Sequence, residues 1–131
     1  YGIKPHNACM PIPKDFPDQD ALVEAATTGN PKFFLGSDTA PHPRENKECA
    51  KGACGVFTAP VLPCVLAEVF EKAGRLDKLE DFTSRFGAEF YGLPLNEGRI
   101  TLIKEEWMVP EQYNNIVPFK AGTRLQWRLV S

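Results

Sequence analysis

The chain has 131 residues, a formal net charge of −2, and 43% hydrophobic against 24% charged residues. That length supports one modest domain with a core, and the balance is neither that of a disordered chain nor of a membrane-embedded one. The slight acidity argues against nucleic acid as the main partner, and no apolar stretch approaches the ~20 residues that span a bilayer.

The sequence opens Tyr1-Gly2-Ile3, without a methionine or a secretory signal pattern. The expectation is a cut inside a longer protein; the alternative is a processed terminus on a complete domain. Residues 2–5 read as a short strand stopped by Pro5. Pro11, Pro13 and Pro17 make residues 10–17 a loop. Asp18 reads as the N-cap of a helix over 19–28, with Ala21, Leu22, Ala25 and Ala26 on its apolar face and Gly29 at its end. After Pro31, residues 32–36 are bulky and apolar, then small, as in a buried strand. This order of loop, helix and strand predicts an α/β protein with parallel strands.

Residues 37–55 form a long loop. It carries Arg44, Glu45, Lys47, Glu48 and Lys51 and ends in the small run Gly52-Ala53-Cys54-Gly55. Small residues there let backbone groups approach a ligand closely. A helix is predicted over 58–73, with Val65, Leu66, Val69 and Phe70 as its stripe and Gly74 after it. A second helix runs over 76–86, with Leu79, Phe82 and Phe86 inward and a further turn over 88–91. Residues 99–103 alternate like a half-buried strand, Trp107-Met108-Val109 suggests another, and in 122–130 Leu125, Trp127 and Leu129 face opposite to Arg124, Gln126 and Arg128. The division expected is an α/β body over 1–92 and a small antiparallel β extension over 93–131.

Cys9, Cys49, Cys54 and Cys64 contain no Cys-x-x-Cys pair, which argues against a structural zinc knuckle. They fit reduced thiols of a cytoplasmic protein, with Cys64 a small buried hydrophobe.

The most telling run is Phe33-Phe34-Leu35-Gly36-Ser37-Asp38-Thr39-Ala40-Pro41-His42. It delivers one acidic and one imidazole side chain past the end of an apolar strand, where barrel enzymes place their chemistry. With Lys4-Pro5-His6, Cys9-Met10-Pro11-Ile12, Lys14, Lys47-Glu48, Phe90-Tyr91-Gly92-Leu93-Pro94 and Val117-Pro118-Phe119, it resembles the C-terminal portion of class II (homodimeric-type) dihydroorotases, of the amidohydrolase superfamily.

The resemblance implies the last strands, helices and C-terminal extension of a (β/α)₈ TIM-like barrel. It implies the reversible cyclisation of N-carbamoyl-L-aspartate to L-dihydroorotate in pyrimidine biosynthesis, with one or two zinc ions. It further implies a homodimer, a small-molecule substrate, and no nucleic-acid or membrane partner. On this likeness Asp38 ligates zinc and moves the proton, His42 holds the substrate carboxylate, and backbone groups of Met10 and Cys54 contact the ring amide. His6 reads as a structural or supporting residue near a strand end.

The family's His-x-His motif, carboxylated lysine and remaining zinc histidines belong to earlier segments. One aspartate cannot fix a catalytic zinc, which takes about three protein ligands. The expectation is therefore a fragment, inactive alone, completed by the rest of the same barrel. Alternatives are another cyclic-amide hydrolase, such as a dihydropyrimidinase or allantoinase, and a non-catalytic relative used for assembly.

Overall fold

A computed structural model describes residues 4–12 and 15–130. The described residues hold four α-helices, α1 (Phe16–Thr27), α2 (Arg44–Lys47), α3 (Leu62–Lys72) and α4 (Phe86–Tyr91), and two strands, β1 (Leu102–Met108) and β2 (Arg124–Leu129). The strands pair with each other, and the bonds from Val109 N–H to the Thr123 carbonyl and from Val130 N–H to the Thr101 carbonyl make the pairing antiparallel. No helix among the described residues is long and apolar enough to cross a membrane. Most of the strand expected at residues 2–5 lies outside the described residues, and so does Lys14.

The chain divides into two compact units. The first takes its described residues from Tyr1–Pro13, Ser37–Leu62 and Glu106–Leu125. The second takes them from Lys14–Gly36, Pro63–Glu105 and Gln126–Ser131.

In the first unit Val61, Val109, Pro118 and Leu125 are fully buried or nearly so. Residues 37–59 are not one bare excursion. Thr39 bridges Val56 in parallel, and Phe57 bridges Pro118. Four residues form α2, and Pro5–Asn7 form a 3₁₀ turn. The expected piece around Trp107 proves to be the end of β1, which starts later than 99–103 predicts.

In the second unit α1 begins earlier than its sequence suggested. Asp15, not Asp18, is the N-cap; its side chain accepts from backbone N–H groups while Asp18 reaches back to the Asp15 N–H, a reciprocal capping box. Pro17 then falls in the first turn, where its missing N–H costs nothing. The expected apolar face holds in part: Ala25 and Ala26 are half-buried, but Ala21 is exposed and Leu22 is 70% exposed, whereas Thr27 is buried and Val23 half-buried. The helix is weakly amphipathic, so its packing partners rather than its pattern fix the face.

Helix α3 turns Cys64, Ala67 and Phe70 fully inward and carries Pro63 in its first turn. Burial pushes the Cys64 thiol up, in keeping with a small hydrophobe. The helix expected over 76–86 is a 3₁₀ turn Leu76–Lys78, a π-helical turn Asp81–Arg85 and then α4, with Phe86 buried and Phe82 against Phe70 at 5.4 Å between ring centres. Helix α4 ends on Gly92 at φ 64°, whose left-handed geometry lets its N–H and that of Leu93 return to the last carbonyls.

The segment over 32–36 is not a strand. Phe33 is 44% exposed; its N–H closes a local turn onto the Asn30 carbonyl at 3.0 Å, and the Leu35 N–H reaches the Phe82 carbonyl at 3.0 Å. An extended segment becomes a strand only by pairing a ladder of N–H and C=O groups, and no described strand offers one here.

Candidate functional site

Every side chain singled out for chemistry sits in the first unit. Asp38 has φ 41°, a left-handed conformation that aspartate tolerates better than most residues. The backbone beside it is held on both sides. The Thr58 hydroxyl donates to the Ser37 carbonyl at 3.3 Å, the Ala59 N–H donates to the Thr39 hydroxyl at 3.1 Å, and the Ala40 N–H donates to the Val56 carbonyl at 3.0 Å. The carboxylate itself is exposed.

His42 is half-buried, and its Nε2 lies 3.1 Å from the Cys54 carbonyl. A carbonyl only accepts, so Nε2 carries the proton in this contact and Nδ1 is left for another partner. Gly55 makes the approach feasible. At φ 144° it occupies backbone space that side chains avoid, and a Cβ there would lie 2.7 Å from Ala40 Cβ and 3.0 Å from His42 Cδ2.

Met10 and Cys54 come together on the wall of an open cleft of about 1160 Å³, which they share with Ala8, Cys9, Lys47 and Gly52. Asp38 and His42 are not on that wall; His42 joins it through the Cys54 carbonyl. The structure thus brings Met10, Cys54 and His42 into one neighbourhood and sets Asp38 on the segment leading into it.

His6 lies in the 3₁₀ turn, and its Nε2 meets Glu48 Oε1 at 2.7 Å. The same oxygen accepts from Arg44 at 2.7 Å, and the Asn115 amide donates to Glu45 at 2.6 Å, so α2 is tethered from several sides. The hydrogen bond from His6 above all, with the charge of Arg44 adding to it, holds the Glu48 carboxyl below the usual range, against the opposing effect of burial. His6 lies in a turn rather than at a described strand end, and its ring is engaged by Glu48.

Two residues carry more of this geometry than their sequence context signals. Gly55 is one. Lys47 is the other: it is 3% exposed, and its Nζ donates to the carbonyls of Ala8 at 3.1 Å, Ala53 at 2.7 Å and Gly55 at 2.6 Å. Burial draws its pKa down, opposed by the nearby Cys54 and Cys9. Lys47 belongs to a charged loop sequence, which ordinarily means a solvated side chain, so the sequence marks it as part of the resemblance but does not show its burial.

Among the described residues no three His, Cys, Asp or Glu side chains gather into a group that could hold a metal ion.

No family model matches the chain. Over 134 residues it is 52% identical to a dihydroorotase of Coxiella burnetii, covering 99% of this chain and 38% of that protein. It is 48% identical over 132 residues to a dihydroorotase of Nitrosomonas europaea, covering 98% and 38%. A mitochondrial dihydroorotase of Arabidopsis thaliana is 49% identical over 131 residues, covering 97% and 35%. Among solved structures, dihydroorotase from Saccharomyces cerevisiae in complex with 5-fluoroorotic acid matches with a TM-score of 0.88 at 37% identity, over 99% of this chain and 38% of that one. Dihydroorotase from Campylobacter jejuni matches with a TM-score of 0.83 at 40% identity, over 97% and 38%. The chain therefore spans a little over a third of the length of the relatives it matches, and across nearly all of its own length it is similar, in sequence and in fold, to dihydroorotases.

Proposed function

We propose that these residues are part of a zinc-dependent class II dihydroorotase of the amidohydrolase superfamily, which interconverts N-carbamoyl-L-aspartate and L-dihydroorotate. The observation that carries this reading is the similarity to dihydroorotases along nearly the whole chain. In this reading residues 1–92 complete a (β/α)₈ barrel whose other strands lie in the rest of the polypeptide, residues 93–131 form its β extension, and the complete protein is a cytoplasmic homodimer.

One donor here suits a zinc ion. Asp38 presents an exposed carboxylate on a backbone fixed from both sides. A carboxylate oxygen is an ordinary zinc ligand, and a catalytic site takes about three protein ligands. Asp38 would supply one and segments outside this chain the others. When bound, the metal supplies positive charge that polarises the amide carbonyl under attack.

The chain's own groups do the rest. Asp38 takes a proton from the attacking water as base during hydrolysis of the ring. It returns that proton to the departing ring nitrogen as acid, and ring closure runs the same transfers backwards. His42 faces the substrate carboxylate. Because Nε2–H is committed to the Cys54 carbonyl, a charge-assisted bond to that carboxylate comes from Nδ1–H, which requires the imidazolium. Backbone groups at Met10 and Cys54, already on one wall, orient the ring amide.

The test uses the complete polypeptide with zinc. Wild type is expected to turn over dihydroorotate, and Asp38→Asn to lose at least about 100-fold in kcat, the scale of acid–base removal. His42→Ala is expected to raise KM for the acidic ring while leaving any activity on neutral cyclic amides unchanged. Turnover of dihydropyrimidines or allantoin in place of dihydroorotate would overturn the assignment.

A further inference from the structure

Around Cys54 three consecutive backbone carbonyls are each assigned to a cation or an imidazole. Those of Ala53 and Gly55 accept from the Lys47 ammonium, and that of Cys54 between them accepts from His42. The third ammonium hydrogen goes to the Ala8 carbonyl, two residues before Met10, and the same carbonyl accepts from the Gly55 N–H at 2.9 Å. A buried ammonium is costly unless each of its three hydrogens has an acceptor, and here the count of acceptors matches. Lys47 is in turn fixed by α2, whose next residue, Glu48, is gripped by His6 and Arg44.

The consequence is mechanical. The two stretches that line the cleft, one through Ala8 and Met10 and one through Gly52 and Cys54, are tied together by the three bonds of the Lys47 ammonium, beside the Gly55 N–H bond to the Ala8 carbonyl. We propose that Lys47 is a positioning residue for the ligand site. Its ammonium sets the height of the Cys54 carbonyl, and that carbonyl holds His42 with Nε2–H engaged and Nδ1 left for an anionic ligand group. The identity of the ligand as dihydroorotate rests on the function proposed above; the staple itself does not. Three carbonyls converge on one atom, which a point-like ammonium meets and a planar guanidinium does not.

The experiment compares the complete protein with its Lys47→Met and Lys47→Gln variants. Methionine keeps the stem and removes all three donors, while glutamine keeps two. With zinc content unchanged, KM for dihydroorotate is expected to rise about tenfold or more in Lys47→Met and less in Lys47→Gln, while kcat stays within about threefold. The ¹⁵N resonances of His42, identified by their loss in His42→Gln, are expected to move in both variants, which a purely structural lysine would not cause in the folded protein. An unchanged KM with unmoved His42 resonances overturns the proposal. If Lys47→Met fails to fold, Lys47→Gln decides on the same two readouts; if neither folds, Lys47 is a folding residue and the proposal falls. Should wild type not turn over dihydroorotate, the proposed function fails separately, and the His42 resonances alone decide the staple: movement supports it and constancy overturns it.

Discussion

Gly55 is the tightest residue in the neighbourhood of His42. A Cβ at that position would lie 2.7 Å from Ala40 Cβ and 2.8 Å from the Ala40 carbonyl oxygen, in a conformation at φ 144° that disfavours any side chain. Gly55→Ala is therefore expected to lower stability by about 1–3 kcal/mol, the usual range for overpacking, read from the shift in urea midpoint. Glu48 gives a pH prediction. Its carboxyl is held below the usual range by the His6 hydrogen bond first and then by Arg44. The unfolded chain takes up this proton in the ordinary glutamate range and the folded chain only at lower pH. The pair's contribution is thus full above the ordinary value and is lost as pH falls through the folded one. Urea midpoints measured from about pH 7 down to about pH 3 should fall more steeply in wild type than in Glu48→Gln. At this scale the run Ser37-Asp38-Thr39-Ala40-Pro41-His42 stands out in the sequence by its composition. The contacts of Lys47 and Gly55 were not legible there, because they form only when Ala8, Ala40 and His42 come near.

At the scale of elements, strong apolar patterns proved reliable and weak ones did not. Helix α3 has a marked apolar stripe opposite Glu68, Glu71 and Lys72, so its helical character was plain; of the expected stripe Phe70 lies at 0% exposure and Val65, Leu66 and Val69 are half-buried. Truncation to Phe70→Ala should cost about 3–5 kcal/mol in the complete protein, measured by chemical denaturation, since it empties the contact with Phe82. Helix α1 shows the opposite case. Its residues are mostly small or acidic, either face could turn inward, and Leu22 stays out while Thr27 goes in, its hydroxyl satisfied by the Val23 carbonyl at 2.8 Å. The run Phe33-Phe34-Leu35-Gly36 has the composition of a strand, but strand formation depends on a neighbour in register. What it finds instead is an aromatic cluster, with Phe34 at 5.2 Å from Phe90 and 5.8 Å from Tyr91 between ring centres. Composition reports how apolar a segment is; it does not report who stands beside it.

For the molecule as a whole, the proposed chemistry needs more groups than these residues hold. The 131-residue chain by itself is expected to show no dihydroorotase turnover with added zinc, in an assay where the complete polypeptide is active. Measurable turnover by the isolated chain would contradict the ligand count on which the proposal rests. The general class of the protein was readable in advance, because the acidic balance and apolar fraction constrain the whole chain at once. The grouping into two units was not, since it depends on contacts between stretches far apart in sequence.

That grouping has a consequence for biosynthesis. Each unit is assembled from three separated stretches, and the buried residues Val109, Pro118 and Leu125 of the first unit come from the latest of its three. During translation the loop bearing Asp38 and His42 emerges long before the wall that closes around its unit. A nonsense codon between those points would release a polypeptide with the whole motif and an unfinished interior, a substrate for quality-control proteases rather than a smaller working part.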